Sequence, residues 1–145
     1  MIAQTYPRSP KILLGGMAHL ARFIDKIRLR HARQIQDYNY ITVGFDKYLL
    51  EFLQLKSDEF ERRVLQGGTD EELLAWIRAH GRPLTADEIR PWNERILTGG
   101  PKDDAARQRF QARLADVAAK RGVPVETLPR VTTWVDIIEL DEGRG

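Results

Sequence analysis

Apolar residues recur at helical spacing through most of the chain. With about 100° between successive residues, Met17, Leu20, Ile24, Ile27 and Ile35 share one arc of a helix expected from Met17 to Gln36. Arg22, Lys26, Arg30 and Arg33 cluster on the opposite arc and read as its solvent face. Arg28 and His31 fall inside the apolar arc. A guanidinium in a core-facing position needs a counter-charge or a ligand. Ahead of this helix, Pro7 and Pro10 predict an extended arm over residues 1–16, ended by Gly15-Gly16.

Shorter helices follow, each with its own punctuation. After a turn segment at 37–44, Asp46 is a candidate cap for a helix carrying Leu49, Leu50, Phe52 and Leu53. Ser57 is a candidate cap for the next, with Asp58 and Glu59 near the positive end of its dipole. Thr69-Asp70-Glu71-Glu72 and Thr85-Ala86-Asp87-Glu88 are capping boxes. The second leads into a helix in which Pro91 predicts a kink or a split. Pro101 opens a longer helix with Ala106, Phe110, Leu114 and Val117 as its seam, closed by Gly122. Pro124 and Pro129 bracket an extended stretch. The run 133–142 breaks the alternation of a strand and begins with Thr133 and Asp136, so it reads as a C-terminal helix docking back. The expectation is an all-α fold: a single compact domain of about seven helices packed at mixed angles, with an extended N-terminal arm.

Composition narrows the function classes. The 145 residues contain no cysteine, which excludes disulfides, thiolate catalysis and cysteine zinc sites. The N-terminus lacks an apolar signal region, and no apolar run reaches the roughly 20 residues of a membrane span. A cytoplasmic protein without membrane contact is expected. The net charge of +2 is too small to imply nucleic acid, but its distribution is uneven. Residues 22–33 hold five Lys or Arg and one Asp, whereas residues 136–142 hold four acids and no base.

The acidic C-terminal helix offers a partner for Arg28, since Asp141 falls between Ile137 and Ile138 on its apolar side. A structural ion pair between Arg28 and Asp141 is therefore preferred over a ligand at Arg28. The basic arc could track phosphates, with Tyr38 and Tyr40 just beyond it, yet a solvated helix face is the commoner meaning of such a pattern. His19, His31 and His80 show no metal-ligand spacing. No metal or cofactor is expected, and the glycine doublets are read as turns and not as phosphate loops.

The segments Tyr6-Pro7-Arg8-Ser9-Pro10, Leu14-Gly15-Gly16 and Leu20-Ala21-Arg22-Phe23-Ile24-Asp25-Lys26-Ile27-Arg28 resemble the opening of a bacterial family named only as domain of unknown function 5069. Asp46 with Phe52-Leu53, and Asp70-Glu71-Glu72 with Leu74-Ala75-Trp76, resemble its middle; Val135 to Glu139 and Asp141-Glu142-Gly143-Arg144 resemble its end. The resemblance brings no activity with it. It implies a stand-alone bacterial domain and one shared site built from Arg8, Arg22, Asp25, Lys26, Arg28, Asp141 and Arg144. The expected function is a non-catalytic module binding a small anionic ligand or a protein partner. A small enzyme using a carboxylate and an arginine on an anionic substrate is the first alternative, and nucleic-acid binding through the first helix the second.

Overall fold

The computed structural model describes residues 6–35 and 38–144. The first five residues of the expected arm and the expected end of the first helix at Gln36 lie outside them. The chain is all-α, as the periodicity predicts: among the described residues there are seven α-helices and one 3-10 turn, and no strand. We label the helices α1 (Leu20–His31), α2 (Gly44–Leu53), α3 (Ser57–Leu65), α4 (Asp70–His80), α5 (Ala86–Thr98), α6 (Asp104–Arg121) and α7 (Trp134–Asp141). None is long and apolar enough to cross a membrane.

The first helix is shorter than its periodicity suggests, for reasons visible at both ends. Leu14 and Met17 exchange backbone hydrogen bonds, and His19 then takes a left-handed conformation with φ 73°. A chain so constrained cannot begin a helix before Leu20. At the other end Arg33 is left-handed as well, with φ 59°. Its N–H donates to the Arg30 carbonyl and that of Gln34 to the Leu29 carbonyl, which is the paired closure of a Schellman stop.

Helix starts divide between confirmed and corrected expectations. Thr69 and Glu72 form a reciprocal capping box, and Thr85 with Glu88 does the same. Thr133 caps α7 through the Asp136 amide. Asp46 does not cap α2: Val43 stands at the cap and Asp46 lies inside the first turn, its carboxylate turned into the interior. Ser57 is the first residue of α3, not its cap. Asp103, not Pro101, marks the start of α6. Pro91 sits within a continuous α5, which forgoes the hydrogen bond a residue with an N–H would make to the Asp87 carbonyl there. The stretch after Gly122 is extended except for the 3-10 turn Val125–Thr127.

The contacts gather into two compact units, Met1–Asn93 and Glu94–Gly145. In the first, α1 lies against α3, with Phe23 and Phe60 ring centroids 5.0 Å apart. Leu20, Ile24, Ile27, Leu49, Leu53, Val64 and Leu73 complete its interior. The Trp92 indole donates to the Ala18 carbonyl and stacks on Phe52, which fastens the start of α5 to this core. In the second unit α6 and α7 meet through Phe110 and Trp134. The Trp134 N–H donates to the Gly99 carbonyl, and Val117, Val135, Ile137 and Leu140 are buried.

Candidate functional site

Two polar clusters organise the first unit. Arg8, delivered by the proline-bracketed arm, spans two carboxylates. Its Nε and Nη2 donate to Asp25 on α1, and its Nη1 and Nη2 donate to Asp70 at the start of α4, at 2.7–3.1 Å. The Arg8 backbone N–H also donates to Asp25. The planar guanidinium fork is the one side chain able to make both pairings at once. The hydrogen bond to Asp70, followed by the opposing effect of burial and then by Asp25, leaves the Arg8 pKa raised. Asp70 is held below the usual carboxylate range mainly by its hydrogen bond from Arg8.

The second cluster is deeper. Asp46 is fully buried, at 0% exposure. One of its oxygens is 2.6 Å from His19 Nε2. The other accepts from Lys26 Nζ at 2.8 Å and from the Ile41 backbone N–H at 3.0 Å. Burial alone pushes the Asp46 pKa up, but the hydrogen bond from His19, and then Lys26, outweigh it and hold the carboxyl below its ordinary value. Burial has the opposite consequence for His19, lowering its pKa against the pull of Asp46. The imidazole is thus neutral near pH 7, its proton on the Nε2 that faces the carboxylate. Nδ1 is then a bare acceptor, buried without a hydrogen-bond partner. Phe23 and Phe45 flank the ring.

The turn segment before α2 is pinned over this cluster. Ile41 is β-branched yet adopts φ 54°, a conformation such residues almost never take. The backbone that donates to Asp46 also borders a depression of about 390 Å³. Buried Ile41, Leu50 and Leu55 form its floor, and Thr42, Lys47, Glu51, Gln54 and Ser57 its more exposed rim. Tyr40, in the same segment, donates to Glu61 and lies under the Arg30 guanidinium, 4.4 Å from its ring. Burial, then the bond to Glu61, raises the Tyr40 pKa.

The predicted site residues have the following partners. Arg8 and Asp25 meet in the fork, and Arg22 Nη1 donates to the Arg8 carbonyl. Lys26 belongs to the Asp46 cluster. The solvent-face expectation for α1 is corrected: Arg22 and Lys26 are 3% and 5% exposed, because Asp46 and the Arg8 backbone supply the partners that make burial tolerable. Arg30 and Arg33 alone of that arc are exposed, so the continuous phosphate-tracking face is lost. Arg28 is half-buried and donates to the Gly68 carbonyl, while His31 faces Glu61 at the surface. In the second unit Asp141 accepts from Lys120, and Arg144 donates to Glu139 and Glu142.

Three contributors were missed by the sequence reading: His19, Asp46 and Asp70. Asp46 carries a usable signal, since it precedes Leu49, Leu50 and Leu53 by three, four and seven residues and so lies on their face. His19, Arg22, Phe23 and Lys26 repeat the same spacing. Asp70 carries none beyond a first-turn acid. Among the described residues no three His, Asp or Glu side chains gather as metal ligands. No curated protein matches the chain. Residues 4–144, nearly its whole length, match the family described as domain of unknown function (DUF5069), and the chain belongs to that family.

Proposed function

We propose that the chain is a non-catalytic module that binds a small molecule carrying an anionic group, in the depression bordered by Ile41, α2 and the start of α3. The observation that carries this reading is Ile41. A left-handed β-branched residue costs on the order of 1–3 kcal/mol, and such strain collects at ligand clamps and switch regions. Here it coincides with a backbone hydrogen bond to a buried carboxylate and with a concavity of ligand size. The Asp46 cluster serves as scaffold: through the Ile41 amide it holds the segment that borders the concavity.

The acid–base alternative has weaker support. General acids and bases work near neutral pH through raised carboxylate pKa values. The two carboxylates with displaced values, Asp46 and Asp70, are both displaced downward. His19, the neutral base by type, is 2% exposed.

A thermal-shift panel of small carboxylic and phosphate-bearing compounds, followed by amide chemical-shift mapping, tests the proposal. A native-state ligand at 100 times its Kd adds about 2.7 kcal/mol of stability, and its shifts are expected at residues 41–57. Shifts confined to other regions, or no stabilisation by any compound, would refute it. Ile41→Gly relieves the strain and is expected to weaken binding while leaving the fold intact.

A further inference from the structure

The rim of the depression carries one charge of each sign. Lys47 and Glu51 lie one turn apart on α2, and both border the concavity. Their closest approach is 3.9 Å, with both side chains more than half exposed, so they form a loose i,i+4 pair of the kind that contributes only a few tenths of a kcal/mol. Below them the buried side chains of Ile41, Leu50 and Leu55 present an apolar floor.

From this arrangement, and resting on the binding role proposed above, we infer that the occupant is a zwitterion with an apolar side group, of the class of a free aliphatic or aromatic α-amino acid. Its carboxylate pairs with Lys47, its ammonium with Glu51, and its side group covers the apolar floor. The selection rests on sign. A simple anion gains Lys47 but brings a like charge beside Glu51, and a simple cation does the reverse. A zwitterion exchanges one loose ion pair for two charge-assisted contacts. Specificity of this kind comes from what the rim repels as much as from what it attracts. The concavity of about 390 Å³ lies at the small end of ligand sites, which suits a single amino acid and not a larger cofactor.

The test is an amide chemical-shift titration of the full chain with leucine and phenylalanine. N-acetyl-leucine supplies the anion-only probe, leucinamide the cation-only probe and N-acetyl-leucinamide the uncharged one. The free amino acids are expected to move amides within residues 41–57. The single-charge and uncharged probes are expected to bind at least about tenfold more weakly. Lys47→Ala and Glu51→Ala sit at exposed positions; each is expected to leave the thermal midpoint of the free protein unchanged and to weaken leucine binding at least about tenfold. If N-acetyl-leucine binds as tightly as leucine at the same amides, the zwitterion inference is overturned while the binding role above stands. If none of these probes, and none of the wider panel, moves residues 41–57, both fail.

Discussion

Truncating Lys26 is the most direct trial of the buried cluster. The ammonium lies 2.8 Å from a carboxylate with no solvent exposure. Lys26→Ala therefore leaves Asp46 with the His19 and Ile41 donors but no cation. Removing one member of a buried pair typically costs about 3–5 kcal/mol, because the remaining charge cannot return to water. Chains of about this size lose roughly 3 °C per kcal/mol, which places the expected fall in melting temperature near 9–15 °C. Arg28→Ala is the natural control. Its hydrogen bond goes to an exposed carbonyl, and a bond of that kind contributes about 0.5–1.5 kcal/mol. The two variants should thus be ordered by burial, not by which arc of the helix carries the apolar residues.

The same variant makes a second demand on the mechanism. The Lys26 charge is one of the influences that lower the His19 pKa, while Asp46 opposes them. Without Lys26, one of the two cations that hold the His19 pKa down is gone and Arg22 remains, so the imidazole protonates at higher pH than in the parent chain. The stability deficit of Lys26→Ala should therefore be largest near pH 8 and shrink as pH falls through the new His19 pKa. Thermal melts and denaturant titrations at both ends of that range measure it. A Lys26→Ala midpoint as high as that of Arg28→Ala, or a deficit that grows on acidification, would refute the reasoning.

In the parent chain, acid stability should decline in two stages. His19 has its folded pKa below the ordinary 6.5, so the unfolded chain takes the proton first and stability falls from about pH 6.5 down to the folded value. Asp46 and Asp70 have folded pKa values below the ordinary 3.8, so their contribution persists above that pH and is lost as pH drops through the folded values. His19→Gln keeps a donor for Asp46 and should abolish only the first stage in urea titrations. Arg8→Lys replaces a fork by a single point charge that cannot span Asp25 and Asp70; with all three side chains partly exposed, screening limits the expected loss to about 1–2 kcal/mol by denaturant unfolding. Gly81→Ala places a Cβ 2.6 Å from the Leu53 carbonyl oxygen, where Arg82 also donates to the Leu53 and Phe52 carbonyls. The forced separation of the α2 and α4 ends should cost about 1–3 kcal/mol in melting experiments.

Most of the helical architecture was legible because its signals are local. Thr69, Thr85 and Thr133 cap their helices through groups three residues away, and Gly122 closes α6 in a left-handed turn with φ 66°. These interactions need no knowledge of the rest of the chain. One of the misplaced starts involves a residue whose side chain is claimed by distant partners. Asp46 has the residue type of a cap but stands third in the helix, with its carboxylate claimed by a buried ammonium 20 residues back. The helix ends at His19 and Arg33 are written in backbone conformations that favour glycine and are here imposed on other residues, so no punctuation residue announces them.

The charged site was legible in type and misread in depth. A wheel sorts residues by angle, and it assumes that one arc of a helix meets the core. Helix α1 is buried on two arcs: Leu20, Ile24 and Ile27 on one, and His19, Arg22, Phe23 and Lys26 on the other. The second arc looks polar because its interior partners are polar as well. Arg22 meets the Arg8 carbonyl, and Lys26 and His19 share Asp46. A helix enclosed by its own counter-charges cannot be told from a solvated one on a single wheel, since both show cations opposite an apolar stripe. The distinction lies in a second helix that carries the complementary irregularity, an acid on the leucine face of α2. An acid on the apolar face of one helix, set against a basic arc on another, is therefore a pairwise signal. Here that signal connects Lys26 with Asp46, inside one unit, where the single-helix reading had singled out Arg28 as the cation in need of a partner.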